Sequence, residues 1–181
     1  MSGTYLSEWL RRRRLAKVAP FIHGEILDFG CGLGELLAVC RPATYVGYDL
    51  NRGALAAARE KYPQGVFCSD FAEIQGLGKK FDVIVMAAVI EHLEDPLATL
   101  RTLTAFMAQD GKLVLTTPHP RLRWLHEVAG SLGLLTGKAK EHHKAFLNRS
   151  DMVRLANDLG LQLSRAELFL FGANQLFVLN S

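Results

Sequence analysis

The chain has 181 residues, which suits one domain with a sizeable core and would cramp two full ones. Hydrophobic residues make up 49% and charged residues 22%, and no apolar run approaches the roughly 20 residues a membrane-spanning helix needs. A net charge of +3 is too small to argue for a nucleic-acid partner.

Three cysteines (Cys31, Cys40, Cys68) form neither a metal-ligand spacing nor an even disulfide set, which points to a reducing, cytoplasmic setting. The N-terminus lacks the apolar core and cleavage site of a secretory leader. Residues 4–18 predict an amphipathic helix with Tyr5, Leu6, Trp9, Leu10, Leu15 and Val18 tending to one side. Arg11, Arg12, Arg13 and Arg14 interrupt that pattern. They read either as a solvated face or as a source of one arginine that, like Tyr5, folds over a bound ligand. Pro20 ends the helix and Gly24 opens the next turn.

Glu25 to Phe29 then reads as a short apolar strand carrying Asp28, followed by glycines at 30, 32 and 34 and by the helix-like composition of residues 35–39. Strand, glycine turn and helix together are how an open α/β sheet presents backbone N–H groups to a ligand at its carboxyl edge. A dinucleotide fingerprint, G-x-G-x-x-G, would need glycine at position 35, which is Glu35. The pattern present is D-x-G-x-G-x-G. Asp28 and Glu35 would repel a pyrophosphate and attract an ammonium or sulfonium group. In this motif the chain resembles the class I S-adenosylmethionine-dependent methyltransferases. The resemblance implies that Asp28 and the Gly30, Cys31, Gly32 and Gly34 backbone hold the methionine end of the cofactor.

Residues 43–49 predict the second strand, ending on Asp49, 19 positions after Gly30. Doubly wound nucleotide folds place a carboxylate there that accepts both ribose hydroxyls. The alternative is a helix cap, a task Asn51 can also perform. Leu50 would lie beside the adenine. Residues 52–61 are rich in helix formers, and 65–71 predict a short third strand. The resemblance implies that Asp70 and the Phe71 backbone receive the adenine amino group; Ser69-Asp70 also reads as a helix cap.

Residues 79–88 form a nearly continuous apolar run, as a central parallel strand should. Ala87 and Ala88 close it with small residues where the chain would pass the methyl donor. The run F-D-V-I-V and the following E-H-L-x-D-P are a second point of resemblance, to the small-molecule branch that includes ubiquinone-type O-methyltransferases. Some members of that branch carry a metal-binding E-x-x-E-H. Here Ala88 replaces the first acid, so no metal site is expected.

Glu91 and His92 are candidates either for accepting a proton from the acceptor or for capping the helix predicted over Pro96–Met107. Asp110-Gly111 predicts a turn into a fifth strand, 112–117, and His119 follows in a stiff Pro-His-Pro setting. Residues 119–149 exceed the minimal sheet-and-helix pattern. The resemblance implies that this insert is a substrate lid, with His143 to Phe146 ahead of the next helix and His143 a further catalytic candidate. An extra core helix is the other reading. Ser150 reads as the cap of a helix ending at Gly160, and residues 161–169 and 174–179 predict a final hairpin.

The expectation is therefore one α/β domain over residues 1–181. Its sheet would be doubly wound, Rossmann-like, seven-stranded and mostly parallel with an antiparallel final strand, and helices would cover both faces. The resemblance implies an S-adenosylmethionine-dependent methyltransferase acting on the oxygen or nitrogen of a small molecule. A non-catalytic cofactor-binding subunit and an NAD-dependent oxidoreductase are the competing readings.

Overall fold

Apolar runs of five to eight residues alternate with helix-forming segments, and the chain winds them into one seven-stranded sheet. The computed structural model describes residues 2–120 and 147–181, with side chains from Ser7 onward. The strands are β1 (Glu25–Phe29), β2 (Thr44–Tyr48), β3 (Val66–Cys68), β4 (Phe81–Ala87), β5 (Met107–Pro118), β6 (Gln162–Phe169) and β7 (Asn174–Asn180). Their order is β3-β2-β1-β4-β5-β7-β6. β1 to β5 run parallel, while β7 pairs antiparallel with both β5 and β6, as the sequence predicts. The order reverses between β1 and β4, which opens a crevice at their carboxyl ends.

Strand alternation sends side chains to two cores. Leu27, Ile84, Met86, Leu115 and Phe177 pack under α3 (Phe71–Gly76), α4 (Pro96–Thr104) and α5 (Arg149–Asp158). Ile26, Val83, Val85, Val114 and Val178 face α1 (Ser2–Val18) and α2 (Arg52–Lys61), which contribute Leu15, Val18, Leu55 and Ala58. Among the described residues no helix is long and apolar enough to cross a membrane.

Several local expectations need correction. After the glycines the chain makes only a 3-10 turn, Glu35–Ala38. Residues 30–43 must cross from β1 to β2, barely the dozen or so that a parallel crossover requires, so a full helix does not fit. The predicted Pro96–Met107 helix stops at Thr104 because Met107 pairs with Phe81 and already belongs to β5. Asp110-Gly111 is a bulge inside that strand. A Cβ at Gly111 would stand 2.9 Å from the Ala108 carbonyl oxygen.

Asp95, not Glu91 or His92, caps α4 by accepting a hydrogen bond from the Ala98 N–H. Asn148, not Ser150, caps α5, in a reciprocal box with Asp151. Most of the predicted lid, 119–149, and with it His143, falls on residues 121–146, outside the described residues.

Candidate active site

The glycine loop begins where β1 emerges beside β2. Gly30, Gly32 and Gly34 all take positive φ, which side chains with a Cβ resist. Gly30 N–H and Cys31 N–H both donate to the Tyr48 carbonyl, at 2.7 and 2.9 Å. Gly32 N–H donates to Asp49 Oδ2 at 2.8 Å, and Gly34 N–H to the Cys31 carbonyl at 2.9 Å. The sequence suggested amides open to a ligand, but these four are consumed within the fold. With only a short 3-10 turn behind it, the loop does not form the phosphate cradle of a helix N-terminus.

The loop instead walls a cavity of about 340 Å³ whose lining includes Asp28, Gly32, Glu35, Arg11, Arg14 and Ala88. A Cβ on Gly32 would meet no protein atom, so its space belongs to the cavity. Asp28 is 3% exposed, and Tyr45 from β2 donates to its Oδ2 at 2.7 Å. Burial pushes the Asp28 pKa up to about 7. The Tyr45 hydroxyl opposes that rise, while the charges of Asp49 and Glu35 reinforce it.

Asp49 is half-buried and accepts from Gly32 N–H and Asn51 N–H, one bond on each oxygen. The α2 cap falls to Asn51, which accepts from Ala54 N–H. Each Asp49 oxygen therefore keeps a lone pair for a diol. Leu50 beside it is 78% exposed. Asp70 is exposed and uses one oxygen to cap α3 through the Glu73 N–H. The Phe71 ring turns inward against Tyr48, Phe29 and Phe106, leaving only its backbone toward the edge.

Ala87 and Ala88 line the cavity at the end of β4. Ala88 takes φ +60, and its N–H donates to the Thr116 carbonyl at 2.8 Å. Glu91 and His92 share a 3-10 turn but diverge. Glu91 is 1% exposed, accepts from the Thr117 hydroxyl at 3.2 Å and has its pKa raised by burial against the opposing charge of nearby Arg14. His92 is exposed. His119 lies apart from this cavity, on a second one of about 1040 Å³ shared with Arg149, Ala166, Gln175 and Phe177. Among the described residues no three His, Cys, Asp or Glu side chains gather into a metal site.

Two contributors were not singled out by the sequence. Arg14 is the one of the four arginines that is drawn inward, where its Nε donates to Asn174 Oδ1 at 2.8 Å. Arg11 also pins α1 to the loop through Glu35 at 2.7 Å. Tyr45 was read only as strand. Its signal was the Tyr-x-Gly spacing, which leaves a gap beside Asp28 for the ring to fill.

Known proteins resemble this chain. A ubiquinone biosynthesis O-methyltransferase from Pseudomonas syringae pv. tomato is 26% identical over 151 residues, covering 77% of this chain and 65% of the relative. The Coxiella burnetii (strain Dugway 5J108-111) protein of the same description is 26% identical over 150 residues, covering 77% and 64%. The chain thus spans about two-thirds of the length of these curated relatives. By structure it resembles a plantazolicin methyltransferase, BpumL, solved with a monoazolic desmethylPZN analog and SAH (TM-score 0.75, 15% identity, covering 99% of this chain and 88% of that one). It also resembles the magnesium protoporphyrin IX methyltransferase of Synechocystis PCC 6803 with bound SAH (TM-score 0.65, 19% identity, 96% and 83%). At these identities the two likenesses establish the doubly wound fold. The model of a methyltransferase domain matches residues 4–165, and the chain belongs to that methyltransferase-domain family.

Proposed function

We propose that this chain transfers the methyl group of S-adenosylmethionine to an oxygen or nitrogen of a small molecule. The observation that carries the reading is a cavity that sets Asp28 and Glu35 beside Arg11 and Arg14, over a glycine loop whose amides are already spent. Such a site suits a zwitterionic end carrying both an ammonium and a carboxylate, and its spent amides disfavour the pyrophosphate that an NAD-dependent enzyme would need to seat.

The residues present fit the cofactor. Asp28 would receive the ammonium group, with the missing Cβ of Gly32 admitting the methionine chain past Cys31 and Gly34. Arg14 and Arg11 supply positive charge on the same cavity for the carboxylate. Asp49 keeps acceptor capacity for the ribose diol, and Leu50, Asp70 and the Phe71 backbone would frame the adenine. When bound, the cofactor supplies a methyl group activated by its sulfonium.

The chain's own work is placement. Ala87 and Ala88 leave room for an acceptor atom to approach in line, and positioning supplies much of the acceleration in such transfers. Proton acceptance falls to Glu91, His92, His119 or His143, with His119 facing the larger cavity in which we place the acceptor. We further read residues 1–181 as one catalytic domain working in the cytoplasm, in keeping with three free cysteines.

Isothermal titration with S-adenosylmethionine, S-adenosylhomocysteine and NADH tests the proposal. Micromolar binding of both adenosyl compounds, lost in Asp49→Ala, is expected. Binding of NADH alone would overturn it.

A further inference from the structure

Asp28 does not meet its ligand alone. In the β1–β2 register Ile26 lies across from Tyr45 and Asp28 across from Gly47. The Tyr45 hydroxyl must therefore reach forward past one pair of residues, about 6–7 Å along the strand, which is the length of a tyrosine side chain. Gly47 keeps that path open. A Cβ there would stand 3.0 Å from the Tyr45 ring and 2.8 Å from Cys31 Sγ. The Phe67 ring, 5.7 Å away and tilted by 60°, closes the other side. Tyr45 is 3% exposed, and its hydroxyl lies 2.7 Å from Asp28 Oδ2. The ring cannot swing away without leaving a buried phenol unpaired.

We propose that Tyr45 is a positioning residue that fixes the Asp28 carboxylate, committing Oδ2 to the fold and presenting Oδ1 to the ammonium group of the cofactor. The role rests on the methyltransferase reading above. Its physical basis does not, because the bond exists in the folded chain alone.

The surroundings make the bond consequential. Around Asp28 stand Tyr45 from β2, Asp49 at the end of β2, Cys31 and Glu35 from the loop and Cys40 beyond the 3-10 turn. From α1, Arg11 and Arg14 face the same cavity, Arg11 being already paired with Glu35. β4 contributes only Ala87 and Ala88. Burial and the two carboxylates favour a neutral Asp28, and the Tyr45 hydroxyl works against them. Removing that donor leaves the acid protonated to higher pH, and a protonated acid does not hold an ammonium group.

The experiment compares Tyr45→Phe with the unaltered chain. Carbon-13 NMR of the aspartate carboxyl carbons, without ligand, follows the Asp28 titration in each. The midpoint is expected near 7 in the unaltered chain and should rise by about one pH unit in the variant, the shift expected for a lost buried donor. An unmoved midpoint overturns the proposal whether or not the cofactor reading is right.

The affinity for S-adenosylhomocysteine is then measured from pH 6 to 9. Titration of the ligand's own amine cancels in the ratio of the two proteins' affinities. That ratio should be about tenfold at pH 6, about fivefold at pH 7, and approach one by pH 9. A weakening that is constant across pH would mean that Tyr45 is only packing, and would overturn the role. If the midpoint moves but neither protein binds at any pH, the cofactor reading has failed, and the ammonium-positioning role fails with it.

Discussion

In Asp28→Asn an amide of nearly the same shape replaces a carboxylate that is 3% exposed. Ionising that carboxylate inside the fold is costly, because burial moves its pKa from 3.8 to about 7. At about 1.4 kcal/mol per tenfold, this corresponds to roughly 4 kcal/mol, an upper figure for a group whose charge is partly relieved by relaxation. Between those two values the native state holds a proton that the unfolded chain has released. Stability therefore falls as pH rises through that window, and the loss is complete above about pH 7. Asparagine has no such proton, and its carbonyl still accepts from Tyr45.

The variant should thus match the parent near pH 4 and exceed it by a few kcal/mol at pH 8, while losing affinity for S-adenosylhomocysteine about 100-fold. Urea unfolding of both proteins at four pH values, with ligand titration at pH 7.5, measures each half of this claim. A stability difference that does not change with pH would refute the electrostatic account of Asp28. Equal ligand affinity would remove Asp28 from the cofactor site.

Gly30→Ala should cost roughly 2–5 kcal/mol in urea unfolding, because a left-handed φ is joined by a Cβ 2.3 Å from Val89 Cγ2. Gly32→Ala meets no atom and should cost only about 1 kcal/mol, yet abolish cofactor binding in the same titration. Asn148→Ala should lower stability by about 1 kcal/mol and Ser150→Ala by less than half of that, since Asn148 makes the cap. If His92 takes the acceptor's proton, His92→Ala should reduce methyl-transfer turnover by about 100-fold at unchanged KM. Turnover equal to the parent's would exclude His92 from proton transfer.

The sheet was legible because its strands are apolar runs with turn signals between them, and Asp28 and Asp49 were legible as candidates because each stands near the carboxyl end of a strand at the crevice. What escaped depends on distances between segments remote in sequence. Four successive arginines look alike until Asn174, 160 positions later, takes the bond from Arg14. Tyr45 reads as a strand residue until the register sets Gly47 beside Asp28. The start of β5 escaped because Asp110-Gly111 has the local chemistry of a turn, and only pairing with Phe81 draws Met107 into the strand. At α5 two cap residues competed within three positions, and the reciprocal bonds of Asn148 and Asp151 decided between them.

The first helix rests its apolar residues on the middle of the sheet, but several of its polar bonds reach what comes last. Arg14 holds Asn174, Lys17 pairs with Glu167, and the Phe21 ring just beyond the helix lies under Arg165. A growing chain therefore makes α1 early, but these bonds wait until β6 and β7 have been synthesised and added to the sheet. Loops this long close late and at an entropic cost that nearby contacts cannot offset. The setting of Arg14 on the cavity wall is thus among the last parts of the molecule to settle. A nascent chain has its glycine loop long before it has a cavity able to retain a ligand.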